Sequence, residues 1–458
     1  MSTIQTQQLG HQSQNHVNAF VKWAKENMVE IESVDPQFEG NNFDLKAIAS
    51  AIGDDKQIVA LSEGCHNNKQ MMSLHDRIIR YLMENCGFTI VATESGLPES
   101  KLIHDYVQNN VAVVEDVEAM YQFGLNKMYS QWQEGRNLIE WMREYNQKHQ
   151  NKLQYYGLDI GGFYQNWKNP MDQICNYLEK VDSEFAKMLK EKLSPFIKVM
   201  TENARINYNE KLSLLERAQL AIILQEAVEN FDSNEEKYIS DDESNRSEFE
   251  WARQSMISMQ LAENYYQNIL DIKNSKNSKF SGLNGRETAM HLNMKWILET
   301  QQRQRPNEKV KIIWINHVIH TKTETQYHDD IWRFLTPAGQ MICETVGRKN
   351  VFIIGLVYGE GKYWKNWQKP SNRSIDVIPA PKNNDENGIE PILSAVKKAN
   401  YFIHWDQMLF NQNFPLGSLF SMSTFFMREN DYFIKIRPME WNACIYLNEV
   451  DPATPVMT

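Results

Sequence analysis

The sequence predicts an α/β fold: a largely parallel sheet flanked by helices, with a large inserted all-helical subdomain. Three observations predict it. Short apolar runs alternate with amphipathic helical patterns, as they do in parallel sheets with helical crossovers. Several runs stop on a titratable residue, where the next helix begins. The stretch from about Asn169 to Glu299 holds a helical period with no strand in it. The expected organisation is a first part of the core over 1–168, a helical insertion over 169–300, and a second part of the core over 301–458.

Taken in order, residues 1–15 are polar and read as a frayed terminus. Residues 16–52 read as a helix, a loop at Pro36–Gln37, and a short helix. Ile58 to Leu61 is the first strand and runs into Ser62-Glu63-Gly64-Cys65-His66. A helix follows from Gln70 to Cys86, with Leu74, Ile78, Leu82 and Cys86 on one stripe, and Gly87 ends it. Phe88 to Thr93 is the second strand, ending at Glu94-Ser95-Gly96, and Pro98 opens the next helix. Trp132 to Gln150 reads as a long helix, and Leu153 to Leu158 as a third strand ending at Asp159. Within the helical stretch, the acidic run SNEEKYISDDESNRSEFE reads as an exposed loop. Lys311 to Asn316 is a fourth strand running into His317, and Val351 to Tyr358 a fifth ending at Gly359-Glu360-Gly361. Tyr401 to His404 and Asp431 to Ile436 are further strand-like runs.

Composition narrows the function classes. Of 458 residues, 42% are hydrophobic and 11% aromatic, enough for a packed core. Lys and Arg number 48 against 59 Asp and Glu, a net charge of −11, which disfavours a nucleic-acid partner. The longest clean apolar stretch, Val351 to Val357, is too short for a bilayer, so no membrane association is expected. The N-terminal residues lack a basic and an apolar region of the secretory kind, and five scattered cysteines without a C-x-x-C argue for a reduced, cytoplasmic setting. Four of the cysteines read as small buried hydrophobes. Cys65 is a weak nucleophile candidate, because neighbouring side chains on a turn rarely face each other.

The chemistry is expected at the strand ends. Ligands of open parallel sheets bind at the carboxyl ends of the strands. Four strands here end on Glu63, Glu94, Asp159 and His317, with His66 and His320 within a turn. Carboxylates and imidazoles gathered at one rim suit general acid–base catalysis, and equally a divalent metal. Taken singly, each feature has a plainer reading. Glu63-x-x-His66 matches a loop-closing ion pair, and His317-x-x-His320 a pair of surface or core histidines. A strand-end carboxylate often only caps a helix. The aromatic segments WQEGRNLIEWMREY and FYQNWKNP read first as core, and the Gly359 turn matches no nucleotide motif.

Together these residues resemble the erythromycin esterase family. A strand followed by G-E-x-x-H-x-x-x-E and an arginine-bearing helix is similar to IVALSEGCHNNKQMMSLHDRIIRYLMENCGF. The strand TIVATESG, the pair WMREYN and YYGLDI, the segment IIWINHVIHTK, Pro337-Ala338-Gly339-Gln340 and GLVYGEG follow in the family's order, from about residue 20 to about residue 450. The resemblance implies an α/β core with a helical insertion and hydrolysis of an ester, with macrolide lactone opening as an activity of some members. It implies that His66 is a general base on water, that Glu63 and Glu94 are the family's glutamates, and that His317 and His320 are its second histidine pair. Asp159 takes a supporting place.

The sequence also departs from the family. Gln70 stands where the family has a glutamate, His75 where it has the helix arginine, Val318 where it has an asparagine, and Asn67 where it has a small residue. Gln70 cannot act as a base, and histidine does not replace arginine in a bidentate clamp. Arg77 lies nearby on another helix face, and Gln70, His75 and Arg77 are expected, with Asp159, as supporting residues of the site. The expectation is a divergent family member acting on a small-molecule or peptide substrate. Hydrolysis by His66 leads; acyl transfer or macrocyclisation in natural-product or peptide modification is the alternative. A divalent metal held by Glu63, His66, Glu94 and His317, and a binding protein without turnover, are further readings. No cofactor is certain.

Overall fold

The computed structural model describes residues 17–109, 116–162, 166–201, 204–239, 243–274, 284–325, 335–365, 373–378, 388–405, 425–429, 432–437 and 440–456. Its strands, in chain order, are β1 Val29–Glu30, β2 Ile58–Glu63, β3 Ile90–Gly96, β4 Gln154–Asp159, β5 Ile312–His317, β6 Val351–Lys365, β7 Ser374–Ile378, β8 Asn400–His404, β9 Phe425–Glu429, β10 Tyr432–Ile436 and β11 Ala443–Val450. β9 and β10 form a separate antiparallel pair.

The remaining nine strands make one sheet, in the order β1-β8-β11-β6-β2-β5-β3-β4, with β7 paired to β6. From β11 to β4 every neighbouring pair is parallel. β8 runs antiparallel to β11, β1 to β8, and β7 to the far end of β6. The sheet is therefore mostly parallel with antiparallel additions, in agreement with the expected α/β class.

Every residue of β2 and β5 is buried, because helices cover both faces. The side chains divide by the strand's period of two. Val59, Leu61, Ile313 and Ile315 pack with Leu74, Ile78 and Leu82 of the helix Lys69–Asn85. Ile58, Ala60, Ile312 and Trp314 pack with Met290, Met294 and Ile297 of the helix Asn284–Gln304. Between β4 and β5 the chain is helical, and a third cluster that includes Leu189, Leu220, Phe231 and Met256 gives that segment its own core.

Several expectations need correction. The acidic run at 233–250 is not an exposed loop. Glu235–Tyr238 is helical, and the helix Glu243–Asn274 takes up the rest, apart from 240–242, which lie outside the described residues. Tyr238 and Phe249 are buried there, so the charges form the wet face of helices whose aromatic residues face the core. β6 does not stop at Tyr358 but continues through Gly361 to Lys365. β11 was not expected, although its apolar run ACIYL separates β6 from β8. β1, β7 and β9 were also not expected. Asp431, residues 1–15 and residues 163–165 of FYQNWKNP lie outside the described residues. Of the cysteines read as buried, Cys175, Cys343 and Cys444 are buried and Cys86 is half-buried. Among the described residues no helix is long and apolar enough to cross a membrane.

One glycine bears directly on the rim. The β3–β4 register shifts between Thr93 and Gly96, the irregularity that carries Glu94. Opposite it, a Cβ on Gly157 would lie 2.4 Å from the Ser95 carbonyl oxygen and 2.5 Å from that of Gly96. Both are backbone atoms, so relief requires moving the strand. Gly157→Ala is expected to cost about 1–3 kcal/mol in urea unfolding and to displace Glu94; unchanged stability would show that the bulge yields freely.

Candidate active site

The ends of β2, β3, β4 and β5 bring Glu63, Glu94, Asp159 and His317 to the same edge of the sheet. Glu63 and His317 are register partners. After β2 the chain turns through Gly64-Cys65-His66, and Asn67 adopts a left-handed conformation, φ 61°. Asn68 then caps the helix Lys69–Asn85, its side-chain oxygen accepting from the Met71 N–H at 3.2 Å. The turn folds His66 back on Glu63, with Nδ1 2.7 Å from Oε1. A carboxylate there draws the proton to Nδ1 and leaves Nε2 as the basic nitrogen. Nε2 lies 3.9 Å from Glu94 Oε2. The side chain of His66 is 17% exposed against 4% for Glu63, so within this pair it is the group that solvent reaches.

The His317 ring stands 4.9 Å from that of His66, centroid to centroid. It begins the short helix Val318–Thr321, and its Nδ1 accepts from the Ile319 N–H at 3.4 Å. A neutral His317 therefore carries its proton on Nε2. The backbone N–H of His317 donates to Asn316 Oδ1 at 2.8 Å and reaches Glu94 Oε2 at 3.3 Å.

Behind this pair lies a buried charge cluster whose centre was not expected from the sequence. Arg286, from the first turn of the helix Asn284–Gln304, donates to both carboxylate oxygens of Asp159 (2.6–3.0 Å) and to Glu94 Oε1 at 2.6 Å. Its Nη1 lies 3.2 Å from His320 Nε2. Glu287, the next residue, holds His320 Nδ1 at 2.6 Å and accepts from the Ala338 N–H at 2.9 Å. Burial works against charge on His320, but Glu287 and Glu94 outweigh it and raise its pKa to about 9. Burial likewise pushes Glu94 up, yet His320, Arg286 and His66 hold its carboxyl well below the usual range. Glu94 is thus kept anionic and His320 cationic at neutral pH.

Arg286 had a signal in the sequence. It shares a helix stripe with Met290, Asn293, Met294 and Ile297, all buried, so it is a charged residue in phase with a core face. Asn126 and Tyr129 were also missed. The Asn126 side-chain amide donates to the Glu94 carbonyl at 3.2 Å, and Tyr129 is buried beside both glutamates, its hydroxyl pushed well above its ordinary pKa.

The supporting residues separate. His75 is buried with Nδ1 3.8 Å from Glu63 Oε2, and burial lowers its pKa despite that carboxylate. Gln70 lies away from the rim: its amide exchanges hydrogen bonds with Asp451, donating to Oδ2 at 3.0 Å and accepting from the backbone N–H at 2.6 Å. Arg77 is committed elsewhere too, donating to both oxygens of Asp44 at 2.6 and 2.9 Å and to Ser33 and Asn42. The Cys65 thiol donates to the His66 carbonyl at 3.4 Å. Asn67 is anchored by the Trp132 indole N–H. The four residues considered as metal ligands are already engaged with one another and with Arg286. Among the described residues no three His, Cys, Asp or Glu side chains converge in a group that could hold a metal.

Comparison with known proteins agrees with this arrangement of elements. Erythromycin esterase type II of Escherichia coli is 26% identical over 197 residues, 42% of this chain, and the match spans 44% of that enzyme's length. The YbfO protein of Bacillus subtilis strain 168 is 23% identical over 376 residues, 79% of this chain and 77% of that one. The crystal structure of an erythromycin esterase mutant in its open conformation has the same fold, with a TM-score of 0.71 at 15% identity over 94% of this chain and all of that one. The profile of the erythromycin esterase family matches residues 83–423. That span is well over half of the chain, which therefore belongs to the erythromycin esterase family.

Proposed function

We propose that this protein hydrolyses an ester or lactone of a small molecule by general-base activation of water at His66. The observation that carries the proposal is the His66 imidazole, fastened at Nδ1 by Glu63, partly exposed, and 4.9 Å from the His317 ring. His66 Nε2 takes a proton as water oxygen bonds to the carbonyl carbon. Glu63 and the fixed negative charge of Glu94 stabilise the imidazolium. His317 Nε2–H donates to the carbonyl oxygen as it gains charge. The tetrahedral adduct collapses with cleavage of the bond to the alcohol oxygen, which receives the proton from His66. The products are an acid and an alcohol. Arg286, held by Asp159, and His320, held by Glu287, maintain the charge on Glu94. The likeness to erythromycin esterase type II makes macrolide lactones the first substrates to assay.

His66→Ala is expected to lower kcat about 10²–10⁴-fold on any active ester or lactone, with the fold intact by circular dichroism. In ¹⁸O-water the wild type should place one label in the acid product. Equal rates for the two proteins overturn the base assignment, and unlabelled product identifies transfer or cyclisation in place of hydrolysis.

The charge cluster makes a separate claim about stability. With a folded-state pKa of about 9 against about 6.5 when unfolded, protonated His320 stabilises the fold fully below about pH 6.5. That contribution disappears as pH rises through about 9, a loss on the order of 3 kcal/mol. His320→Gln should lack this component when urea unfolding is compared at pH 6 and pH 9.5. A variant retaining the full wild-type pH dependence would show that another group titrates there.

A further inference from the structure

A pocket of about 850 Å³ opens between the helices Lys168–Val181 and Ser183–Val199 and the segment around Gln122 to Lys127. Its size falls within the roughly 300–1,000 Å³ of small-molecule sites. Its wall includes the apolar side chains of Met171, Leu193 and Ile197. Four ammonium groups, from Lys127, Lys168, Lys190 and Lys198, stand around that surface, with Asp172 as the acid among them. Two of the four are offset by carboxylates: Lys168 lies 2.5 Å from Asp172, and Lys190 lies 2.6 Å from Glu179. Among the described residues no ion pair engages Lys127 or Lys198. On a chain with a net charge of −11, a pocket with surplus positive charge over apolar walls selects an anion with an aliphatic body.

One lining residue, Lys127, links the pocket to the strand that carries Glu94. Lys127 follows Asn126, whose side-chain amide donates to the Glu94 carbonyl and whose backbone N–H donates to Ser95 Oγ at 3.1 Å. We infer that the pocket holds the distal part of the substrate, and that this part is an aliphatic stretch ending in a carboxylate. The substrate class is thus an ester carrying a separate carboxylate. This rests on the hydrolytic reading above, but binding is measurable without turnover.

The test compares wild type with the double variant Lys127→Glu/Lys198→Glu. Calorimetric titration with dodecanoate should show binding to the wild type and at least about tenfold weaker binding to the variant, while dodecanol should bind the two proteins alike. On the mono-p-nitrophenyl ester of decanedioic acid, kcat/KM should fall at least about tenfold further than on p-nitrophenyl acetate. No dodecanoate binding by the wild type, or equal binding by the variant, overturns the pocket assignment even if both esters are hydrolysed. Dodecanoate binding without hydrolysis of any ester supports the pocket and overturns the hydrolytic reading.

Discussion

The structure turns on one buried guanidinium. Arg286 donates to Asp159 at the end of β4 and to Glu94 in β3, and touches His320 just beyond β5. These are three adjacent strands of the sheet. A cation withdrawn from water is tolerable only if carboxylates and hydrogen bonds surround it, and the carboxylates in turn depend on it. The cluster therefore fixes where the strand ends lie as well as which of their groups carry charge. Glu94 stays anionic because it has this partner behind it, and its negative charge faces His66.

The cluster also ties the helical segment to the strand ends. Arg286 and Glu287 belong to the helix that closes that segment, far in sequence from β2 and β3. The helix is held against β4 by more than apolar contact, since the Asn293 amide donates to the Leu158 carbonyl at 2.8 Å. A shift of the helix would move the guanidinium away from two carboxylates at once. Helical segment and sheet are in this sense one electrostatic unit, although each has its own hydrophobic cluster.

The parts of this arrangement legible in the sequence are those written in local pattern. Ile58 to Leu61 and Lys311 to Asn316 read as buried parallel strands because each is an apolar run with a titratable residue beyond its end. Glu63 and His66 are recognisable because only two residues of turn separate them. Arg286 shows as a charge in phase with a core face, but its partners do not, since they lie 127 and 192 residues away and sequence spacing is silent on contacts of that range. Gln70 and Arg77 show the reverse error: both sit close to His66 in sequence, yet one ties the helix to Asp451 and the other closes on Asp44. The acidic run at 233–250 misled because charge density was read as solvation, while the aromatic residues spaced through it were the stronger sign of a packed helix.

The strand order has a consequence for how the protein is made. β2 pairs with β5 on one side and β6 on the other, and with no strand that precedes residue 300. While a ribosome is still translating the helical segment, both hydrogen-bonding edges of this apolar strand lack their native neighbours. Such an edge invites intermolecular pairing. The middle of the sheet can zip together only once β5 and β6 have emerged, so that edge stays open to wrong partners throughout synthesis of the helical segment.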